Sequence, residues 1–311
     1  MKTPGLHLFG ANTPTGHAFR QLATSSSKGW ALYGYSRRPP SPGTTNHPAD
    51  FNDPESFQPA GSLLQPGLWI SFGPIWLLAP FLEHLAFEHP ERLAGFRGLI
   101  ACSSSSAITK RFAANRFDRE LAARLSGAED QLLSTCRRLQ VTCRILRPTL
   151  IYGQVGPYGD QNLSRILQLM RRLPFLPLPA DTGLRQPIHA LQLASVALAL
   201  AGQLARSDGD EVSSIPTALP ERIDLGGDKP LSYTAMIKAL QMSLPPGDPA
   251  RRCRLLPIPN RLFFALAAPL LLLSPKAFEA VLRMGADLAG FTPSHKLLGQ
   301  PAKPFPVLPL A

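Results

Sequence analysis

The residues best suited to chemistry in this 311-residue chain stand in the turn GANTPTG, residues 10–16, between the apolar run LHLF and the helix-like HAFRQLA. A glycine-ended turn that joins a first strand to a first helix is where a dinucleotide pyrophosphate sits. Glycine accepts backbone angles that other residues avoid, and without a Cβ it lets phosphate approach the main chain and the partly positive helix N-terminus. Gly10 and Gly16 hold the ends of the turn, Asn12 lies between them, and Thr13 stands where a middle glycine would be expected. Pro14 suits the first turn of a helix, where its fixed φ costs nothing and its missing N–H would be unpaired in any case. Thr13 gives up glycine's freedom but can lend a hydroxyl. Taken alone, the motif is shared with an ordinary strand, turn and helix.

The elements that must position this turn follow from the alternation of apolar runs with helical patterns through the first two hundred residues or so. LHLF, WALYGYS, LWISFG, GLIACS and TCRILRPTLIYG read as strands; HAFRQLA and residues 79–93 and 118–139, with leucine and alanine at helical spacing, read as helices. Strands that alternate with helices imply crossover units and a parallel sheet covered on both faces, and right-handed crossovers make it doubly wound. Residues 36–56, rich in proline and small polar residues, read as a surface loop after the second strand. ERIDLGG reads as a late strand, and from residue 243 the alternation gives way to proline-broken helices. The expected fold is α/β, a doubly wound parallel sheet of the Rossmann-like kind over residues 1–240, in which resemblance to known folds of this kind, rather than periodicity, implies a substrate-lobe insertion near 154–185. A smaller, mainly helical C-terminal substrate lobe is expected over 241–311.

Composition narrows the partners. With 44% hydrophobic and 17% charged residues the chain can bury a large core. Its net charge of +11 is spread over single and paired basic residues, without a basic tail or an interleaved aromatic ladder. This pattern disfavours nucleic acid and suits small anions such as a dinucleotide or nucleotide sugar. The four cysteines, Cys102, Cys136, Cys143 and Cys253, lack metal-ligand spacing and read as reduced thiols of a cytoplasmic protein. No metal site is expected. The N-terminus reaches glycine and polar residues too soon for a signal peptide. The most apolar stretch, LFFALAAPLLLL at residues 262–273, is too short to span a bilayer and is interrupted by Pro269. It reads as core or oligomer-facing helices; membrane contact is not expected, monotopic contact being the lesser alternative.

These pieces together resemble the short-chain dehydrogenase/reductase superfamily, in its extended or atypical branch of nucleotide-sugar epimerases, dehydratases and reductases. The resemblance runs over nearly the whole chain. GANTPTG is similar to the family's glycine-rich turn, and ADFNDPESF, residues 49–57, to its third strand and following helix start. SSSS, residues 103–106, stands where the central strand ends in serines. ILRPTLIYG, residues 145–153 and including Pro148, is similar to the arginine-proline and tyrosine-glycine signature. LRQPIHALQLA and IDLGGDKPLSYTAMI match the later segments in order. The resemblance implies that Asp50 reaches the adenine amino group beside Phe51, and that Phe72 and Gly73 lie against the ribose and nicotinamide. It also implies a dimer through the helices that flank the central strand. An acid at the end of the second strand would bind a ribose 2′-hydroxyl, whereas arginine pairs with a 2′-phosphate. Here ALYGYS runs into Arg37 and Arg38 with no acid nearby, so NADP is favoured over NAD.

The chemistry of the resembled family rests on a tyrosine followed four residues later by a lysine, whose charge makes the phenol a usable proton shuttle. This chain lacks the pair. Its five tyrosines, Tyr33, Tyr35, Tyr152, Tyr158 and Tyr233, are followed at that spacing by Arg37, Pro39, Gly156, Asn162 and Ile237. With Glu129 taken as the acid that closes the family motif, the two positions are Leu121 and Leu125. Three readings stay open. In the first, an enzyme uses Ser105 or Ser106 to hold a substrate oxygen, with Lys110, Tyr152 or His189 supplying a proton. Serines at a strand end also cap turns, Lys110 could be solvated, Tyr152 could simply pack, and His189 reads better as a structural histidine. In the second, the chain binds NADP without turnover; in the third, it has stopped binding nucleotide. The expected substrate is a small polar or nucleotide-linked molecule, with Arg165, Arg171, Arg172 and Arg185 able to meet a diphosphate.

Overall fold

In the computed structural model, which describes residues 4–27, 29–37, 46–61, 65–206 and 219–307, the first apolar run is strand β1 (Gly5–Phe9), buried along its whole length. Continuous burial is what the centre of a sheet covered on both faces requires. β1 pairs in parallel with β2 (Leu32–Ser36), and β2 with β3 (Asn46–Pro48). On its other side β1 pairs with β4 (Gly67–Ser71), followed by β5 (Phe96–Cys102) and β6 (Thr142–Pro148). Arg222–Gly226 and Thr292–Pro293 complete a sheet of eight strands, every pairing parallel. The strand order reverses between β1 and β4. In an open α/β sheet, the crevice outside the carboxyl ends at such a reversal is where ligands bind.

The helices α1 (Pro14–Thr24), α2 (Ile75–Glu88), α3 (Ser106–Thr109), α4 (Arg116–Arg138), α5 (Asn162–Arg172) and α6 (Ala190–Leu204) follow in order. α1 and α6 pack together on one face of the sheet, α2 and α4 on the other. Successive β1 residues serve the two cores: Leu6 and Leu8 join Phe19, Ile70 and Leu193, while Phe9 joins Trp69, Phe81 and Leu132. Each such side chain, fully buried, contributes roughly 1.5–3 kcal/mol.

A smaller lobe draws on two separate stretches. Phe175–Pro179 pairs in parallel with Arg254–Ile258, and a third core joins Tyr152, Leu163 and Met170 to Met236, Ile237 and Leu240 of α7 (Tyr233–Ser243). Beyond it lie α8 (Asn260–Ala267), α9 (Leu270–Leu273) and α10 (Pro275–Leu282). The chain then returns to the sheet through Thr292–Pro293, and α11 (Ser294–Leu298) packs against α6.

Three elements depart from the sequence reading. The third strand is Asn46–Pro48, inside the stretch read as loop and ahead of ADFNDPESF; Pro48, with no N–H to offer, is tolerated because this strand is the sheet's edge. α2 begins at Ile75 rather than 79 and holds Pro80 in its interior, where a proline hides helical periodicity. Residues 262–273 are not core: α8 and α9 contain no buried residue.

Candidate site at the carboxyl edge of the sheet

The turn after β1 is held by its own side chains. Gly10 adopts φ +75°, open to glycine at little cost, and packs so closely on the Phe72–Gly73 backbone that a Cβ would overlap it. A Cβ on Gly16 would strike the Gly10 carbonyl, so this glycine lets α1 start directly against the turn. Thr13 needs no glycine-like freedom, with φ −113° and ψ 160°. Its hydroxyl donates to the Gly10 carbonyl at 2.8 Å and accepts from the Gly16 N–H at 3.0 Å, which makes it the N-cap. Pro14 takes the first helical position and Thr15 the second. The first turn of α1 therefore keeps one uncapped N–H, that of Thr15.

At the end of β2, Arg37 is exposed, and Arg38 lies outside the described residues. The sequence reading missed the cluster beside them. Asn46 of β3 donates to Asn12 Oδ1 at 3.0 Å and to Ser36 Oγ at 3.4 Å, and it accepts from the Arg20 guanidinium. Gly34, on the neighbouring strand, has no Cβ and so leaves room for both Arg20 and Asn46. The Arg20 Nε is buried without a hydrogen-bond partner, and among the described residues no carboxylate pairs with the guanidinium. Burial lowers its pKa from the ordinary value, opposed by Tyr158. No local sequence signal marks Arg20, because its neighbours come from β2 and β3.

Asp50 accepts from the Asn52 main-chain N–H at 3.0 Å and side-chain amide at 3.1 Å. Phe51 packs on Phe9 and Phe81, with its ring edge against Gly73. Phe72 lies against Phe19.

Beside the serines at the end of β5, a buried ion cluster fixes the strand ends. Glu129, 0% exposed, accepts from Ser103 Oγ at 2.5 Å and from Arg147 Nε at 3.0 Å, and Arg222 Nε reaches it at 3.1 Å. Ser104 Oγ accepts the Ser106 N–H, and the Ser105 N–H donates to the Pro148 carbonyl at 2.9 Å. The hydroxyls of Ser105 and Ser106 make no hydrogen bond within the described residues. Lys110 Nζ meets Asp118 at 2.6 Å, and Arg283 meets the same carboxylate at 3.2 Å. Burial opposes the charge of Asp118, but hydrogen bonds from Lys110 and Asn115 prevail and hold its carboxyl below the usual range. Leu125 is buried in the α2/α4 core, with Leu121 half-buried against it.

Tyr152 is buried between His189 and Phe305, and its hydroxyl accepts the Val307 N–H at 2.9 Å. Burial pushes its phenol above the ordinary pKa. His189 is the N-cap of α6: its Nδ1 accepts from the Leu191 N–H at 3.1 Å, and Gln192 closes a reciprocal bond to its main chain at 2.9 Å. Burial, aided by the charge of Lys303, lowers its pKa to about 4.

Of the arginines read as diphosphate ligands, Arg171 pairs with Asp248 at 2.8 Å. Arg185 is buried and donates to the carbonyls of Leu184, Ala286 and Arg283. Arg165 and Arg172 are exposed. A cavity of about 660 Å³ is lined by Arg171, Arg172, Phe175, Arg252, Arg254 and Leu256 among others. Another, of about 290 Å³, lies among Leu22, Trp30, Leu198 and Leu298; neither borders the glycine turn or the serines. Glu55, His84 and His89 converge on the surface with metal-ligand atoms on all three, a grouping their spacing does not announce, although Arg92 already holds the second Glu55 oxygen at 3.1 Å.

No protein-family model matches the sequence, and no curated protein matches it either. Solved structures do. RMD from Pseudomonas aeruginosa, complexed with NADPH, superposes with a TM-score of 0.60 at 12% identity, over 97% of this chain and 94% of that one. The triphenylmethane reductase of Citrobacter sp., complexed with NADP(H), gives 0.59 at 17% identity over 97% of each chain. UDP-glucuronic acid 4-epimerase from Bacillus cereus, in complex with NAD, gives 0.55 at 13% identity over 96% of this chain and 92% of that one. With its parallel eight-stranded sheet and reversal between β1 and β4, the chain has the Rossmann-like fold of NAD(P)-dependent epimerase, dehydratase and reductase structures.

Proposed function

We propose that this chain binds NADP across the carboxyl ends of β1, β2 and β4, and that it acts on a small polar or nucleotide-linked substrate by hydride transfer without a tyrosine–lysine shuttle. The observation that carries the nucleotide reading is Arg20: a guanidinium with a buried, unpartnered Nε and, among the described residues, no carboxylate, joined through Asn46 to Ser36 and Asn12. A 2′-phosphate at the end of β2 would meet Arg20 together with Arg37. Thr15 N–H and the α1 dipole would face the pyrophosphate, with fewer main-chain donors than an all-glycine turn offers. The bound nucleotide would supply the hydride. Ser105 and Ser106, whose hydroxyls have no hydrogen-bond partner among the described residues, would hold the substrate oxygen.

Replacing Arg20 by Gln is expected to weaken NADPH binding by about tenfold or more while leaving NADH unchanged, since a hydrogen bond to a charged group is worth roughly 1.5–3 kcal/mol. Fluorescence titration of both nucleotides checks it; equal loss for the two would remove Arg20 from the 2′-phosphate.

A second reading, NADP binding without turnover, is favoured by the internal engagement of the groups that could stand in for the missing couple. Leu125 is packed away, Lys110 is bound by Asp118, Tyr152 holds the C-terminal segment, and His189 caps α6. Positioned acid–base catalysis typically contributes about 10²–10⁴-fold. NADPH oxidation with a panel of carbonyl compounds separates the readings: turnover lost in a Ser105→Ala, Ser106→Ala variant supports the enzyme, and none in the wild type supports the binding protein.

A further inference from the structure

Residues 249–278 contain five cations, Arg251, Arg252, Arg254, Arg261 and Lys276, and no carboxylate. The acids at the two borders are already engaged, Asp248 with Arg171 at 2.8 Å and Glu279 with Arg283 at 3.7 Å. Within this stretch α8 and α9 contain no fully buried residue. Leu262 and Leu266 stand one helical turn apart and are both exposed; Pro269 then turns the chain into α9, where Leu272 is 90% and Leu273 81% exposed. A soluble surface disperses such side chains singly, whereas a run of them marks a surface meant to be covered.

Arg261 precedes Leu262 in α8, and the strand that carries Arg254 leads directly into that helix. Arg254 pairs across the small sheet with Phe175, and Pro177 with Leu256, so that the outer face of these strands alternates charge with exposed apolar groups. α8 packs against the strand Phe175–Pro179. The adjoining cavity, about 660 Å³, is lined by four arginines and no acid, and three of them, Arg172, Arg252 and Arg254, have no carboxylate partner among the described residues. Neither helix is long enough to cross a bilayer, and among the described residues no helix is both long and apolar enough to do so.

We propose that this face of the small lobe docks on an anionic lipid bilayer, with Leu262, Leu266 and Leu271–Leu273 in the acyl boundary and the arginines among the headgroup phosphates. Apolar insertion and cationic attraction reinforce each other in such surface-lying segments, and each Lys or Arg near an anionic leaflet adds to binding. The proposal is independent of nucleotide binding.

Co-sedimentation of the full chain with phosphatidylcholine vesicles, with and without phosphatidylglycerol, tests it. Binding is expected to be strong on the anionic vesicles, weak on the neutral ones and reduced by salt. It should fall by about tenfold or more in the double variant Leu272→Glu, Leu273→Glu, and by a comparable factor in Arg252→Gln, Arg254→Gln. All four side chains are exposed, so circular dichroism should report an unchanged fold. No vesicle binding by the wild type, or equal binding by the leucine variant, would overturn the proposal. So would a solution dimer that the leucine variant dissolves, which would make this face a contact between copies of the chain.

Discussion

At the residue scale, Leu125 occupies one of the two positions expected for the resembled family's couple when Glu129 is taken as the acid that closes its motif. It lies in the core between α2 and α4, so restoring the resembled family's residue types is not a neutral exchange. Leu125→Lys would bury an ammonium with no partner, and a loss of stability of about 3–5 kcal/mol is expected, read as a lowered urea midpoint. Leu121→Tyr, at a half-buried site, should cost far less. A Leu125→Lys protein as stable as the wild type would mean that the ammonium finds water or a carboxylate there. Gly10, Gly16 and Thr13 were legible in the sequence as a strand-to-helix turn, because their roles are local. The cluster of Arg20, Asn46, Ser36 and Asn12 was not, because it is assembled across three elements. The same holds for Lys110, Tyr152 and His189, whose residue types promised chemistry but whose partners, Asp118, Val307 and the Leu191 N–H, appear only once the chain is folded.

At the element scale, the parallel strands and covering helices could be read from periodicity, whereas the edges could not. β3 is three residues ending in proline and has too little pattern to stand out, and α2 hides its first turn behind Pro80. For residues 262–273 hydropathy gave the helices but not their environment: an apolar helix reads alike whether protein, lipid or a second copy covers it. The loop that leads back to the sheet hangs on Arg185, whose planar fork reaches the carbonyls of Leu184, Ala286 and Arg283 and lies over the Tyr233 ring. Lysine cannot span that set. Arg185→Lys should therefore loosen residues 283–290 and speed limited proteolysis there, while the sheet stays protected. An unchanged cleavage pattern would show that Asp287 and Leu288, which also bond to Leu184, suffice.

For the whole molecule, two buried imidazoles contribute to the response to acid. Burial, with His47 nearby, brings His7 to about 4, and burial with Lys303 brings His189 to about 4, both below the ordinary 6.5. Between these values the unfolded chain takes up protons that the folded chain refuses. The contribution of these two groups is thus fully present above about pH 6.5 and falls as the pH drops toward 4, by at most about 3 kcal/mol for each group. His189→Asn keeps a capping acceptor without the titration, and it should roughly halve the slope of unfolding free energy over that window. A slope that does not change would assign the acid sensitivity elsewhere.

The same folded frame brings the glycine turn, the Arg20 cluster and the serines to one edge of the sheet, the edge proposed to hold a nucleotide. Calorimetric titration of the intact chain with NADPH and with NADH tests that proposal most directly. Saturable binding of one NADPH per chain, about tenfold or more tighter than NADH, is the predicted result; no saturable binding of either nucleotide would contradict it.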